Sequence, residues 1–201
     1  MKIKQITNIT AGHTFRGKIP EVKKSGVIAI QMKNLSIVDG IDWRSCIETE
    51  VNSKRGLKYL NEGDILFTAR GGNNFAVTID KIPDNKRVVA APQFHVLSNI
   101  NKAVIPEYLA WLLNRTPCQR YFQREAAGSL TKSLRIKTME ETQIIIPSLQ
   151  TQKSIINLAK TLKQEQHILK QLIHNGEKTM NAIANDLFVS DATNKQITEK
   201  N

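Results

Sequence analysis

Apolar residues in the first hundred positions come in short runs bounded by turn formers, whereas beyond Pro147 they recur at helical spacing with no further proline and a single glycine. VIAI (27–30), DILFTA (64–69), FAVTI (75–79) and RVVAAPQFHVL (87–97) are β-branched or aromatic runs between Gly, Asp, Asn and Pro, and predict strands. EGDILFTARGGNNFAVTI predicts a hairpin: Gly63-Asp64 opens one strand, Gly71-Gly72-Asn73-Asn74 tolerates positive φ, and Arg70 stands at the mouth of the turn. At Pro106 the period changes. Tyr108, Leu109, Trp111, Leu112 and Leu113 share one helical face behind a Pro106-Glu107 start, and TPCQRYFQREAAG adds a second amphipathic piece that stops at Gly128. SLTKSLRIKT then predicts a loop leading to a strand at QIIIP (143–147).

In the last quarter of the chain, Ile155, Ala159, Leu162, Gln166, Leu169, Ile173, Gly176, Met180, Ile183 and Leu187 alternate at spacings of four and three, a heptad seam. A helix over residues 150–188 would be about 58 Å long at 1.5 Å per residue. A seam so long and narrow outruns the small domain before it and calls for a partner helix, so Ile155, Leu162, Leu169, Ile173, Met180, Ile183 and Leu187 are the candidate pairing residues. The alternative, a helix folded back on its own domain, is disfavoured by that length. The expected class is α+β: a mixed β-sheet domain with packed helices over 1–147, a long coiled-coil-like helix over 148–188, and a polar, frayed tail over 189–201.

Charge narrows the partners. The net charge is +11; residues 1–147 carry 22 Lys and Arg against 13 Asp and Glu, residues 148–201 only 7 against 5, so the basic excess belongs to the first part. Such a surface suits a polyanion, although net charge also serves solubility. The chain has 40% hydrophobic and 23% charged residues, with no apolar run approaching the length of a membrane span and no signal-peptide core in MKIKQITNIT, so a cytoplasmic location without membrane contact is expected. Cys46 and Cys118 stand far apart outside any CxxC or Cys/His spacing, as ordinary reduced thiols do.

Catalytic signatures are missing. There is no GxGxxG, no GxxxxGK[ST], and no FxGxG followed by a [DNS]PP[YFW] tetrapeptide of the amino-methyltransferase kind, so no cofactor is expected in this chain. His13, His95, His167 and His174 share no ligand spacing. Glu21 and Lys23 form an ExK as in metal-dependent nucleases but lack the preceding Asp that two-metal hydrolysis needs. Groups suited to phosphate oxygens and base edges are more numerous: Arg16, Lys18, Lys23 and Lys24; Lys54, Arg55 and Lys58; Arg70, Asn73 and Asn74 in the hairpin turn; Lys132, Arg135 and Lys137 after the Gly128-Ser129 loop. The interleaved aromatics of single-strand readers are absent, which favours a duplex over single-stranded RNA or DNA.

ITNITAGHTFRG, GVIAIQMKNLSIVDGIDW, KYLNEGDILFTARGG, PEYLAWLLN and AAGSLTKSLRIKTMEETQIIIPSLQTQKSIINLAKTL follow one another in an order that resembles the target-recognition domain and following helix of Type I restriction-modification specificity (S) subunits. GDILFTARGG and the IIIPSLQTQKSII junction are the most specific pieces, and the resemblance spans about residues 3–188. It implies a non-catalytic subunit that selects the DNA sequence for modification subunits, which bring S-adenosylmethionine and methylate adenine; a motor-nuclease restriction subunit completes such complexes where cleavage occurs. S subunits typically hold two recognition domains and two helices, and this chain has one set, so the resemblance implies a half-subunit that forms a homodimer. A small Mg-dependent nuclease using Glu21 and Lys23, and a stand-alone DNA-binding regulator, are the alternatives.

Overall fold

The computed structural model describes residues 1–51, 57–71, 73–126 and 133–198, with side chains through Phe188. Among the described residues nine strands precede four α-helices: β1 (Asn8–Ala11), β2 (Val27–Ile30), β3 (Leu35–Ser36), β4 (Gly40–Ile41), β5 (Ile47–Glu48), β6 (Ile65–Thr68), β7 (Ala76–Thr78), β8 (Arg87–Ala90), β9 (Phe94–Ser98), α1 (Pro106–Leu113), α2 (Thr116–Ala126), α3 (Ile136–Glu141) and α4 (Leu149–Thr198). The class is α+β, as expected from the sequence.

A four-stranded antiparallel sheet runs in the order β1-β9-β6-β7, and a three-stranded one in the order β5-β2-β8, with β2 parallel to β8. All four residues of β6 are buried because both faces of its sheet are covered. Ile65 and Phe67, with Leu97 of β9, pack against Leu109, Leu113, Phe122 and Met139 of the helices; Leu66, Phe94 and Val96 face Ile28, Ile30, Val88 and Ala90 of the second sheet. The alternate residues Val27, Ala29 and Val89 form a third cluster under Phe15, Ile19, Ile47 and Tyr59. The period-two alternation of a strand thus feeds two cores at once.

The sheets meet at a close crossing. After β1 the chain passes to the second sheet through Gly12, whose N–H donates to the Phe94 carbonyl (2.9 Å), and His13, whose N–H donates to that of Ala90 (2.7 Å). A Cβ at Gly12 would lie 2.0 Å from the Ala91 oxygen, so only glycine fits there.

Several local expectations differ from the structure. RVVAAPQFHVL is two strands in different sheets, β8 and β9, separated at Ala91, Pro92 and Gln93. Part of the segment expected as a loop is α3, which buries Met139. QIIIP is no strand: it makes a single bridge, Lys2 to Gln143, and exchanges main-chain bonds between Met1 and Ile144 (2.8 and 3.0 Å), with no further ladder to either side among the described residues. Expectations that fall on Lys54, Arg55, Gly72, Gly128, Ser129 and Lys132 lie outside the described residues.

The chain divides into two compact units, Met1–Ile156 and a second beginning at Asn157. The first includes the opening turns of α4. The Ser148 hydroxyl accepts from Thr151 N–H (3.2 Å) as an N-cap, and Gln152, fully buried, accepts from Ile105 N–H (2.8 Å) while its amide donates to the carbonyls of Ala103 (2.9 Å) and Pro147 (2.8 Å). This amide ties the start of α4 to the start of α1. Ile155 is half-buried in the first unit. In the second unit Leu162, Leu169, Ile173, Met180, Ile183 and Leu187 are 49–66% exposed, and Leu158, Ile168, Leu172 and Phe188 are also exposed beside the seam. The helix continues through Thr198, beyond the 188 boundary of the heptad pattern.

Candidate nucleic-acid interface

The β6–β7 hairpin is fastened from inside by one hydroxyl. Thr68 Oγ1 donates to the Asn73 carbonyl (3.0 Å) and accepts from Phe75 N–H (2.7 Å), while the Thr68 carbonyl accepts from the Asn74 amide (2.6 Å). Asn74 is therefore engaged within the turn, and Asn73 is exposed. From α1, Asn114 caps β7 by accepting from Ala76 N–H and donating to its carbonyl, both at 2.8 Å. Gly71 takes φ +110°, a conformation open to glycine, and so turns the chain immediately after Arg70.

Arg70 is exposed, and its backbone bridges Ser133; the Leu134 N–H donates to the Ala69 carbonyl at 2.8 Å. Exposed Arg135 follows two residues after the bridge, at the N-cap of α3. The main chain thus brings Arg70 and Arg135, 65 positions apart in sequence, to the same junction.

Next to this junction lies a groove of about 390 Å³ lined by Phe15, Gly17, Lys18, Ile19, Gln31, Met32, Lys33, Pro92 and Gln93. It connects to the hairpin twice. Met32 sits 3.6 Å from where a Cβ of Gly71 would be, and the Gln93 carbonyl accepts from Ala69 N–H (2.9 Å). Gln93 Oε1 is buried without a hydrogen-bond partner among the described residues. Lys18, Lys33, Arg70 and Arg135 are exposed cations around these elements, and backbone turns and cations together suit contact with phosphates and base edges.

The remaining candidates stand elsewhere. Arg16 lines a wider cleft of about 1300 Å³ with His13, Lys58, Tyr59, Asn61 and Asp64, where burial raises the Asp64 pKa against the lowering effect of the Asn61 N–H. Lys23 and Lys24 are exposed on the second sheet, where Val22 N–H donates to the Glu48 carbonyl (2.9 Å) and the Glu48 carboxylate is paired with Lys86. That pairing, first by the Lys86 hydrogen bond, lowers the Glu48 pKa. Lys137 is exposed on α3.

Sequence reasoning did not single out Lys33, Gln31 or Gln93. Lys33 and Gln31 were visible in QMKN at the end of a strand, but their nearness to Arg70 depends on the parallel pairing of β2 with β8, which leaves no local signal. Gln93 was hidden inside a run read as one strand. Among the described residues no group of three His, Cys, Asp or Glu side chains could hold a metal ion, and Glu21 and Lys23 are both exposed. Burial pushes both free thiols, Cys46 and Cys118, up to about 11. Among the described residues no helix is long and apolar enough to cross a membrane.

Residues 1–175 match the family described as the Type I restriction modification DNA specificity domain. Among solved structures, the HsdS subunit from Thermoanaerobacter tengcongensis is similar with a TM-score of 0.56 at 14% identity, over 85% of this chain and 38% of that one. The Type-I restriction-modification system S subunit from M. genitalium is similar with a TM-score of 0.55 at 15% identity, over 89% of this chain and 42% of that one. The chain therefore spans about two-fifths of the length of these two subunits. Among curated proteins none matches this sequence.

Proposed function

This chain belongs to the Type I restriction-modification DNA specificity family, and from that premise we propose that its Met1–Ile156 unit reads a double-stranded DNA sequence on behalf of separate methyltransferase subunits. The family is a non-catalytic DNA-recognition subunit, which removes the nuclease reading of Glu21 and Lys23. The observation that carries the proposal is the extent of the family match, residues 1–175, which covers the whole basic unit and continues into α4. The groove with Lys18 and Lys33 and the neighbouring Arg70–Arg135 junction support it, since cations grip phosphates while turns bring side chains to base edges.

In this reading the chain holds no cofactor; S-adenosylmethionine belongs to the modification subunit, and a motor-nuclease subunit joins where restriction accompanies modification. Two copies pair through the exposed seam of α4, each offering the same recognition unit to one half of a two-part target. Identical chains related by a two-fold axis read inverted repeats.

The test is to express the chain with its modification gene in a host lacking other methyltransferases and to sequence the methylated adenines. An interrupted palindrome is the expected motif; an asymmetric motif, with this the only specificity chain present, refutes the homodimer, and no new motif refutes the function. Binding in vitro should weaken by about three orders of magnitude between roughly 50 and 200 mM salt if about six phosphates are contacted.

A further inference from the structure

One buried side chain sits directly beneath the proposed reading surface. His95 of β9 stands between Ala11 of β1 and Phe67 of β6, and is 8% exposed. Its Nε2 lies 2.7 Å from the Leu134 carbonyl oxygen, and its Nδ1 is buried without a hydrogen-bond partner among the described residues. A carbonyl can only accept, so Nε2 carries the proton and donates, and Nδ1 is the bare nitrogen of a neutral ring. Burial, with a smaller contribution from Arg70, holds the ring's pKa below its ordinary value and so favours the neutral ring with Nδ1 bare, against the opposing pull of the Leu134 bond.

Leu134 is held from two directions. Its N–H donates to Ala69 at the end of the hairpin stem, its carbonyl accepts from the imidazole, and its side chain is buried in the helix-side core. The residues on either side of it are Ser133, bridged to Arg70, and Arg135. Two cations 65 positions apart in the sequence therefore depend on one short segment for their relative placement. Base readout demands such placement, because a hydrogen bond to a base edge weakens steeply once its angle departs from linear.

We propose that neutral His95 is a positioning residue for DNA recognition: its Nε2–H···O bond to Leu134 holds residues 133–135 against the β6–β7 hairpin and so fixes Arg70 and Arg135 as one reading pair. This rests on the DNA-reading function proposed above. His95 does not touch the DNA. It acts through the Leu134 carbonyl, and its loss is expressed as lost discrimination rather than lost charge. Gln can replace it, since its terminal amide lies as many bonds from the backbone as the histidine Nε2 and also donates.

The experiment selects duplexes from a randomised DNA pool with the full chain, then measures Kd for the selected duplex and a scrambled one using wild type, His95→Leu, His95→Gln and Arg70→Ala. His95→Leu should lose about tenfold or more on the selected duplex, with less than about threefold change on the scrambled one, and His95→Gln should restore the selected affinity to within about threefold. A folded His95→Leu that discriminates like wild type overturns the proposal, as does a folded His95→Gln no better than His95→Leu. Should circular dichroism show His95→Leu unfolded, His95→Asn takes its place; its amide falls one carbon short, and equal discrimination by the Asn and Gln variants is then the overturning result. Failure of the underlying reading looks different: wild type enriches no sequence. If wild type enriches one and a folded Arg70→Ala discriminates equally well, Arg70 is not a reader and the proposal falls while the DNA-reading function stands. A failed latch on a sound reading shows Arg70→Ala losing discrimination while His95→Leu keeps it.

Discussion

Replacing Gln152 with Leu puts an apolar side chain of similar size at a fully buried position and removes three hydrogen bonds. The Ile105 N–H, at the N-cap of α1, loses its side-chain acceptor, and the carbonyls of Ala103 and Pro147 lose the amide that donates to both. An orphaned buried polar group costs about 1–3 kcal/mol; taking about 2 for the N–H, about 1 for each carbonyl, and crediting leucine with about 1 for its apolar surface, the net loss is about 3 kcal/mol. For a domain of this size each kcal/mol lowers Tm by about 2–4 °C, so the shift should be about 6–12 °C. Scanning calorimetry of Gln152→Leu beside Lys153→Ala, an exposed neighbour on the same helical turn, measures it. A Gln152→Leu melting within about 2 °C of wild type would show that water or rearranged main chain satisfies these groups, and the argument for an anchored helix start would fall.

Gly12→Ala should destabilise by about 3 kcal/mol, because its Cβ would lie 2.0 Å from the Ala91 oxygen and the crossing between sheets must open; an unchanged urea midpoint refutes this. Glu141 accepts from Lys2 and, at 2.6 Å, from Lys4, and these bonds lower its pKa to about 2. A depressed carboxylate pKa gives stability that is complete above the ordinary value of 4.5 and fades as pH falls toward about 2, so the Tm difference between wild type and Glu141→Gln should be level near neutral pH and close toward zero in acid. A difference independent of pH would contradict it. Polar substitutions at Leu162, Leu169 and Ile173 should each remove about 1.5–3 kcal/mol from a paired helix seam. Light scattering should report monomers while the melting of the Met1–Ile156 unit is unchanged; a wild type already monomeric at micromolar concentration, alone and with modification subunits, refutes the seam's role.

Elements with a complete local signal were legible in the sequence. VIAI is β2 to the residue, Pro106 opens α1, and the paired runs around Arg70 form the expected hairpin. Elements decided by distant partners were not. Ile144, Ile145 and Ile146 have strand chemistry, yet Ile145 is 78% exposed and its carbonyl accepts from the Tyr108 hydroxyl (2.9 Å) rather than from a neighbouring strand. Pro92 and Gln93 interrupt a run of strand formers, and nothing local says that the halves join different sheets. The site divides in the same way. Arg70 and Arg135 could be proposed separately from composition and turn chemistry, but their junction depends on the Ser133 bridge, and His95 carried no pattern of its own. Lys23 and Lys24, neighbours of Lys18 in sequence, lie instead near the Glu48–Lys86 pair.

Gln166 and Gly176 break an otherwise apolar repeat, and Gly176 has open space around its would-be Cβ. Two helices paired along such a seam cannot slide freely: the next alignment that restores apolar contacts is one heptad away, about 10.5 Å along the axis. On B-DNA that distance is about three base pairs and about 100° of rotation, so a slipped pair would turn one recognition unit to the flank of the duplex. Irregular positions make the alternatives inequivalent, since a heptad slip sets a polar amide or a missing side chain against leucine. In the proposed dimer the two irregular positions would be marks on a ruler, and a change at either would be read out as a change in the number of unread base pairs between half-sites.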